Sequence, residues 1–369
     1  MRSRRYHRPL YRAAAAGFVT NAVVLTVLAW TRVGDLLDPE SLPWWARTLA
    51  YAAIVVLVLA VTGTPLALWR GFLREQRWGF STQRFSGWAT DRAKAVAVET
   101  ILTALPLLGL VALARSLPGW WVVPAAAALA LAVLLLSFLA PVVLEPLFNR
   151  YAPLQDVALA GQLRELADRA GVPVREVLVQ DMSRRTRKAN AYVSGLGRTR
   201  RIVVADTLLE LATPAEVRLV VAHELGHRRH RHVLIGTLLS MAGIAIATVT
   251  LWALLGQTIA NPHRLPLVLL IGLALTLLSV PASTTVSRRW ERTADRHALQ
   301  LTGDQDAYDR AFRRLARTNL PDLDPPRLLY LLLFTHPTPA ERLDAAATAS
   351  QQETPGETLL ACQLDDYAR

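Results

Sequence analysis

The chain has 369 residues, of which 52% are hydrophobic, and its mean hydropathy of +0.27 is high for a soluble protein. A net charge of +12 would suit nucleic-acid binding, but the arginines cluster at the ends of apolar segments. We therefore expect a lipid bilayer as a partner and no nucleic acid. The single cysteine, Cys362, excludes a disulfide framework and a CxxC metal site, so any metal site needs His, Asp or Glu ligands.

About six apolar runs reach the roughly 18 residues that suggest a bilayer-spanning helix. They cover residues 14–33, 49–69, 95–114, 120–148, 233–256 and 265–286. A basic segment precedes the first run, as in a signal peptide, but no small-residue cleavage site follows it. We therefore expect an uncleaved anchor and a multi-pass integral membrane protein.

Basic and weakly acidic loops alternate between these runs. Residues 70–94 and the segments beside the last two runs are rich in arginine, whereas residues 35–47 are mildly acidic. Because basic loops mark the cytoplasmic side, we expect both termini and the polar region 149–232 to be cytoplasmic. Only Lys94 and Lys188 are lysines, which favours a high-GC genome and therefore a bacterial plasma membrane.

These runs divide the chain into four regions. We expect an N-terminal membrane domain with four transmembrane helices at 1–148, a cytoplasmic α/β catalytic region at 149–232, a transmembrane hairpin at 233–287 and a helical region at 288–369. In the polar region, "LAGQLRELADRAGV" has helical spacing and ends at Gly171. Three short runs, "REVLVQD", "NAYVSGLG" and "RRIVVADTLL", have the β-branched or alternating pattern of strands.

A helix with a well-defined start follows the third predicted strand. Thr213 is the expected N-cap, Pro214 occupies the first helical position and Glu216 completes a capping box. This helix carries "VVAHELGHRRHRHVL" and leads directly to the fifth apolar run. We expect it to run into that transmembrane helix or to abut it.

The histidine-rich stretch contains the pattern H-E-x-x-H, formed by His223, Glu224 and His227. On a helix, positions i and i+4 share a face, so the two imidazoles can bind one Zn²⁺ ion. Glu224 is then placed to act as a general base towards a water molecule at the metal. The sequence therefore predicts a catalytic zinc site with one ion per chain.

A catalytic zinc site needs a third protein ligand, and several residues are candidates. His230 and His232 are close in sequence, but we expect both to be exposed or to lie behind the ligands. Glu291 in "RRWERTADRHAL" is the better candidate, because a transmembrane hairpin brings its helix back to the motif helix. Glu291 and Asp295 are spaced i, i+4, so one carboxylate can bind the metal while the other orients a ligand imidazole.

H-E-x-x-H, then a helical hairpin, then E-x-x-A-D resembles peptidase family M48, and specifically its Ste24 group, the type I CAAX prenyl proteases. Other stretches resemble the family in the same order along nearly the whole chain. They are "WGFSTQRFSGWATDRAKA", "PLFNRYAPLQD", "NAYVSGLGRTRRIVVADTLL" and "LLYLLLFTHPTPAERL". One departure is the number of spans, since eukaryotic members have seven around a large chamber and this sequence predicts about six.

The resemblance implies a fold and a set of site residues. The fold is a mostly α-helical integral membrane protein with a cytoplasmic α+β catalytic domain of the zincin (gluzincin) type. The implied zinc ligands are His223, His227 and Glu291, with Glu224 as the base and Asp295 behind the ligands. By the same resemblance His336 and Arg342 stabilise the tetrahedral intermediate. Residues Asn190, Ala191 and Tyr192 match the strand that holds the substrate backbone.

The sequence thus predicts a membrane-embedded zinc metalloendopeptidase that hydrolyses a peptide or membrane-protein substrate. Two alternatives remain at this point. One is a quality-control protease of the HtpX type that cleaves misfolded membrane proteins. The other is a non-catalytic membrane scaffold with a structural zinc ion, although such a site has no use for Glu224. The sequence leaves the physiological substrate and the oligomeric state open.

Overall fold

The computed structural model describes residues 2–195 and 197–353. Six helices in this part of the chain are long and apolar enough to cross a membrane. They are Arg2–Trp30, Trp44–Arg77, Phe85–Ser116, Val122–Phe148, His232–Ala260 and Pro262–Thr302. Four precede a small mixed sheet and two follow it, which confirms the predicted fold class. The four-region division stays a prediction, and Cys362 lies outside the described residues.

The N-terminal membrane helices contain two irregular turns. The helices are α1 (Arg2–Trp30), α2 (Arg32–Leu37), α3 (Trp44–Leu68), α4 (Arg74–Arg77), α5 (Phe85–Ser116), α6 (Val122–Leu139) and α7 (Glu145–Phe148). Short π-helical segments at Trp69–Leu73 and Ala140–Leu144 join α3 to α4 and α6 to α7. Pro65 precedes the first and Pro141 lies in the second, and a missing amide hydrogen favours such a slip in hydrogen-bond register.

A four-stranded sheet follows α7. Its elements are β1 (Tyr151–Pro153), α8 (Val157–Arg169), β2 (Glu176–Gln180), β3 (Ala191–Ser194), β4 (Arg201–Ala205) and α9 (Asp206–Leu211). The strand order is β1-β2-β4-β3, with β2 and β4 parallel and the other two pairs antiparallel. The three predicted strands are present, and β1 is an additional strand of three residues. Strand β3 therefore lies at an edge of the sheet.

The sheet packs against α8 and against the helix that carries the histidine motif. Asp156 caps α8, and Gly171, at φ +67°, follows its C-terminal end as predicted. Leu163 of α8, Ile202 of β4 and Leu225 of the motif helix are fully buried in one cluster. Burying such a side chain contributes about 1.5–3 kcal/mol, so this cluster holds the motif helix firmly against the sheet.

The motif helix, α10 (Pro214–Arg229), begins as the sequence predicts. The Thr213 hydroxyl accepts a hydrogen bond from the Glu216 amide, and the Glu216 carboxylate accepts one from the Thr213 amide. The helix ends at Arg229, and α11 (His232–Leu255) begins three residues later. The motif helix therefore abuts the fifth span, and the two are separated by a turn at Arg231.

The sixth span and the helix that carries Glu291 form one continuous helix, α12 (Leu265–Thr302), of 38 residues. The sequence predicted a separate helix downstream of the span. The two are continuous because no breaker separates them, and Pro281 is tolerated with Thr285 Oγ1 donating to its carbonyl at 2.7 Å. Gly303, at φ +65°, follows its C-terminal end.

Between Gly303 and residue 353, where the described part of the chain ends, lie three further helices: α13 (Gln305–Asn319), α14 (Arg327–Leu333) and α15 (Pro339–Glu353). The first and third match helical patterns in the sequence, and α14 was not predicted. The loop before α14 is fixed by the N-terminal helix, since Ser3 Oγ donates to the Pro321 carbonyl at 2.6 Å and the Tyr11 hydroxyl donates to Asp322 at 2.5 Å. The first span thus anchors the segment that leads to His336.

Candidate metal centre

The centre lies between α10 and α12, which pack side by side at unusually close range. Gly226 of α10 faces Ala294 of α12, and a Cβ added at Gly226 would lie 3.1 Å from the Ala294 Cα. That separation is tighter than ordinary contact, so only glycine fits without displacing a helix. The close approach brings the H-E-x-x-H face of α10 to the carboxylates of α12.

Three side chains converge at this contact. The Nε2 atoms of His223 and His227 lie 3.3 Å apart. Glu291 Oε1 is 3.3 Å from His227 Nε2, and Glu291 Oε2 is 3.4 Å from His223 Nε2. Ligand atoms that sit 2.0–2.1 Å from a tetrahedral ion are about 3.3 Å apart, so these spacings fit Zn²⁺.

The chemistry of this set also favours a metal ion. Within the described residues, His223, His227 and Glu291 form the one cluster of His, Cys, Asp and Glu side chains close enough to hold an ion. Glu291 Oε2 is buried and accepts no hydrogen bond from any described group. An unpaired buried carboxylate oxygen is costly, and a cation would satisfy it.

The His223 imidazole is held from behind by charged groups. Its Nδ1 lies 2.9 Å from Asp295 Oδ1, and Arg342 Nε donates to Asp295 Oδ2 at 2.9 Å. Burial alone would lower the pKa of His223, but the carboxylates of Asp295 and Glu291 outweigh it and raise the pKa to about 9. Asp295 therefore lies behind the candidate ligand His223.

His336 and Arg342 both reach the centre, from different sides. His336 Nε2 is 3.3 Å from Glu291 Oε1, and its side chain is 60% exposed. The Arg342 side chain is only 12% exposed, lies over the Phe312 ring and places Nη1 3.8 Å from Glu291 Oε2. Its Nε and Nη2 are engaged by Asp295, and Nη2 also lies 3.3 Å from His223 Nδ1, which leaves Nη1 facing the Glu291 carboxylate.

Glu224 follows His223 on α10, at the side of the metal cluster. Burial raises the pKa of its carboxyl, while the charges of His223 and His227 act in the opposite direction. A partly buried carboxylate with a raised pKa next to a candidate metal ligand has the environment of a catalytic base.

The residues predicted to bind substrate lie on and just before the edge strand β3. The Asn190 carbonyl accepts a hydrogen bond from the Ala205 amide at 3.0 Å, so this residue faces the sheet interior. Because alternate residues face opposite edges, the Ala191 backbone groups face the free edge. Arg228 of α10 donates to the Val193 carbonyl at 3.1 Å, which fixes the free edge of β3 beside the motif helix. The Tyr192 hydroxyl bonds Tyr151 at 3.0 Å.

The two remaining histidines of the motif differ in position. His230 is exposed, whereas His232 is buried with 6% exposure and contacts His227. The position of His232 behind a candidate ligand matches one of the two expectations for it. Two aromatic residues that support the site, Trp290 under His232 and Phe312 under Arg342, were not predicted from the sequence. No spacing signal marks either one.

The chain matches the model of peptidase family M48 over residues 153–350, more than half of its length. It therefore belongs to peptidase family M48 and is a metalloprotease. A second family model, the CAAX prenyl protease N-terminal region with five membrane helices, matches residues 6–150. The chain is thus a multi-pass membrane protein of the Ste24-like kind, with four candidate spans in the region where the family description has five.

Known relatives agree with this assignment. The chain is 31% identical to the uncharacterized metalloprotease YhfN of Bacillus subtilis, over 81% of this chain and 73% of the relative. It is 26% identical to CAAX prenyl protease 1 of Saccharomyces cerevisiae, over 84% and 74%. The crystal structure of S. mikatae Ste24p has the same fold, with a TM-score of 0.79 at 24% identity over 94% of this chain and 87% of that one.

Proposed function

We propose that the protein is a zinc endopeptidase in which His223, His227 and Glu291 hold one Zn²⁺ ion. The observation that carries this proposal is the convergence of the two imidazole nitrogens and the Glu291 carboxylate at spacings of 3.3–3.4 Å, with one buried carboxylate oxygen lacking a hydrogen bond. Bound there, zinc would supply Lewis acidity to the scissile carbonyl and to the attacking water. Three protein ligands leave a fourth position open, as a catalytic site requires.

Proton transfer in this proposal belongs to Glu224. Its carboxylate accepts a proton from the attacking water as the new C–O bond forms. The same carboxyl then delivers that proton to the leaving amine when the C–N bond breaks. The raised pKa brings this carboxyl closer to neutral pH, which favours both roles, because an acid–base group works best when its pKa lies near the operating pH.

The charge that develops on the carbonyl oxygen needs hydrogen-bond donors. We assign this role to His336 Nε2, which lies 3.3 Å from Glu291 Oε1, and to Arg342 Nη1, which lies 3.8 Å from Glu291 Oε2. The exposed His336 can reach a substrate without moving the helices. Arg342 is held rigidly by Asp295, so its donor needs little reorganisation.

We assign substrate binding to Asn190, Ala191 and Tyr192. An extended peptide can add to the free edge of β3 through the outward-facing backbone of Ala191. Backbone pairing accepts many sequences, and side chains such as Tyr192 would limit the choice. Relatives are named CAAX prenyl proteases, and a prenylated peptide is therefore one substrate to test, beside an unprenylated membrane-protein segment.

We place the active site at the cytoplasmic face of a bacterial plasma membrane, with both termini on the same side. This placement rests on the distribution of arginine between the loops. Water reaches the metal there, while a membrane-bound substrate remains close to the bilayer.

The decisive variant is Glu224→Gln, which keeps the shape of the side chain and removes the base. We expect zinc to remain bound, measured by metal analysis, and peptide cleavage to fall by at least about 10²-fold. The matched control is Glu165→Gln on the exposed face of α8, which should leave cleavage unchanged. A Glu224→Gln protein that retains zinc and still cleaves both peptides at the wild-type rate would overturn the assignment. If the wild-type protein cleaves no peptide, either with its zinc or after treatment with a chelator, the result would instead support a non-catalytic scaffold with a structural zinc ion.

A further inference from the structure

We propose that His232 positions the ligand His227 by accepting a hydrogen bond from its Nδ1–H group. The inference rests on the proposed zinc centre and adds a residue to it. His227 Nδ1 and His232 Nδ1 lie 3.0 Å apart, and the two rings are inclined by 71°. That distance is short enough for a hydrogen bond between the two nitrogens.

The direction of this hydrogen bond follows from the metal. His227 Nε2 is the atom that faces Glu291 and His223, so it must be unprotonated to bind an ion. The proton of a neutral His227 is then on Nδ1, and Nδ1 is the donor. His232 must present an unprotonated Nδ1 and carry its own proton on Nε2. The pair therefore fixes the tautomer of the ligand as well as the direction of its ring.

The backbone conformation at Arg231 supports a functional role for the contact between His232 and His227. Arg231, between α10 and α11, adopts φ 57° and ψ 27°, in the left-handed region that L side chains rarely occupy. Among the described residues, one other non-glycine residue, Leu320, has a positive φ. The left-handed turn places His232 behind His227, only five residues after it. Unfavourable backbone conformations concentrate at functional sites.

A second contact fixes the plane of the His232 ring. It stacks on the Trp290 indole, with ring centroids 5.1 Å apart and an angle of 9° between the planes. Trp290 immediately precedes the candidate ligand Glu291 on α12. The first residue of the fifth span is thereby tied to the helix that supplies the third ligand, and His232 stays buried with 6% exposure.

The inference can be tested with two substitutions that separate the hydrogen bond from the packing. His232→Phe keeps a flat ring on Trp290 and removes the acceptor. His232→Asn loses most of the stack but places an amide oxygen near the position of Nδ1. We expect the apparent zinc affinity to fall about 10–100-fold in the Phe variant and to stay within about threefold of wild type in the Asn variant. Competition with a chromogenic chelator measures both.

His230→Phe is the matched control, since it makes the same substitution at an exposed histidine two residues away. It should bind zinc like the wild-type protein. If the Phe variant fails to fold, as judged by its thermal unfolding, His232→Gln replaces it. The longer Gln side chain presents its amide near Nε2 instead of Nδ1, so we expect the same loss of affinity.

Two results would overturn the inference. Equal zinc affinity in the wild-type, Phe and Gln proteins would show that His227 needs no partner. Wild-type affinity in the Phe variant together with a loss in the Asn variant would show that the imidazole acts only through packing. A wild-type protein that binds no zinc would instead refute the zinc centre itself, so failure of the proposed function is distinguishable from failure of this inference.

Discussion

The two imidazoles of the metal centre are held by chemically different partners. His223 is backed by the carboxylate of Asp295, which is paired with the buried Arg342. His227 is backed by His232, which lies flat on Trp290 and carries no formal charge in the proposed tautomer. Both arrangements orient a ring, but only the first buries an ion pair. Loss of either partner should weaken metal binding, and only loss of Asp295 should leave an unpaired buried charge.

The largest effect expected from this comparison is that of Asp295→Ala. Zinc affinity should fall about 10–100-fold because His223 loses its hydrogen-bond partner. The free energy of unfolding should also fall, by about 3–5 kcal/mol, because the buried Arg342 loses its closest counter-ion. Chelator competition measures the first quantity and thermal or denaturant unfolding the second. The His232→Phe protein should show the loss of affinity with a much smaller loss of stability.

A double variant separates orientation from charge burial at Asp295. Replacing Asp295 by Leu together with Arg342 by Met fills the same space without a charge, so stability should recover while zinc affinity stays low. Recovery of zinc affinity in the double variant would contradict the view that Asp295 orients His223.

An intermediate effect is expected for Gly226→Ala. This substitution tests the contact between α10 and α12, on which the positions of both His223 and His227 depend. The new Cβ would lie 3.1 Å from the Ala294 Cα and 3.3 Å from its carbonyl oxygen, and backbone atoms yield little. We expect the free energy of unfolding to fall by about 1–3 kcal/mol and zinc affinity to fall with it. Equilibrium unfolding with and without zinc measures both effects.

Gly161→Ala on α8 is the matched control, because nothing lies within 4 Å of the added methyl group. There the substitution should stabilise the helix by about 0.8–1 kcal/mol. If Gly226→Ala is equally stabilising, α10 and α12 do not need their close approach.

Local signals were enough to predict the motif helix and most of the candidate ligands. The capping box at Thr213 and Glu216 and the i, i+4 spacing of His223 and His227 depend only on nearby residues. Glu291 was identified because a hairpin of two spans must return the chain to the same side of the membrane. These inferences depend on helical periodicity and bilayer thickness, which determine the spacing of side chains on one helix face and the length of the apolar runs.

Contacts between segments that are distant in the chain could not be predicted from the sequence. The burial of His232 depends on a left-handed Arg231, and propensity gives no reason to expect that conformation at an arginine. The β1 strand is only three residues long and exists because β2 offers it a partner. The stack of His232 on Trp290 joins residues 58 positions apart, so no local pattern predicts it.

The smallest expected effect concerns the turn that brings His232 to His227. A left-handed conformation costs an L residue about 1–2 kcal/mol, whereas glycine adopts it freely. Glycine also has more conformational freedom in the unfolded chain, and this offsets about 0.5–1 kcal/mol of the stability gained by relieving the left-handed strain. Arg231→Gly should therefore raise the free energy of unfolding by roughly 0.5–1 kcal/mol and leave zinc affinity unchanged, as chelator competition and denaturant unfolding would measure.

The control for that variant is Arg229→Gly in the last turn of α10, which removes the same charge from a helical position. It should lower the free energy of unfolding by about 1 kcal/mol. A loss of stability in Arg231→Gly as well would mean that the arginine side chain, and not the turn, is what the position requires. A loss of zinc affinity in Arg231→Gly alone would mean that the neutral partner of His227 depends on a rigid turn, whereas Asp295 on a continuous helix does not. The two sides of the centre would then differ in backbone support as well as in charge.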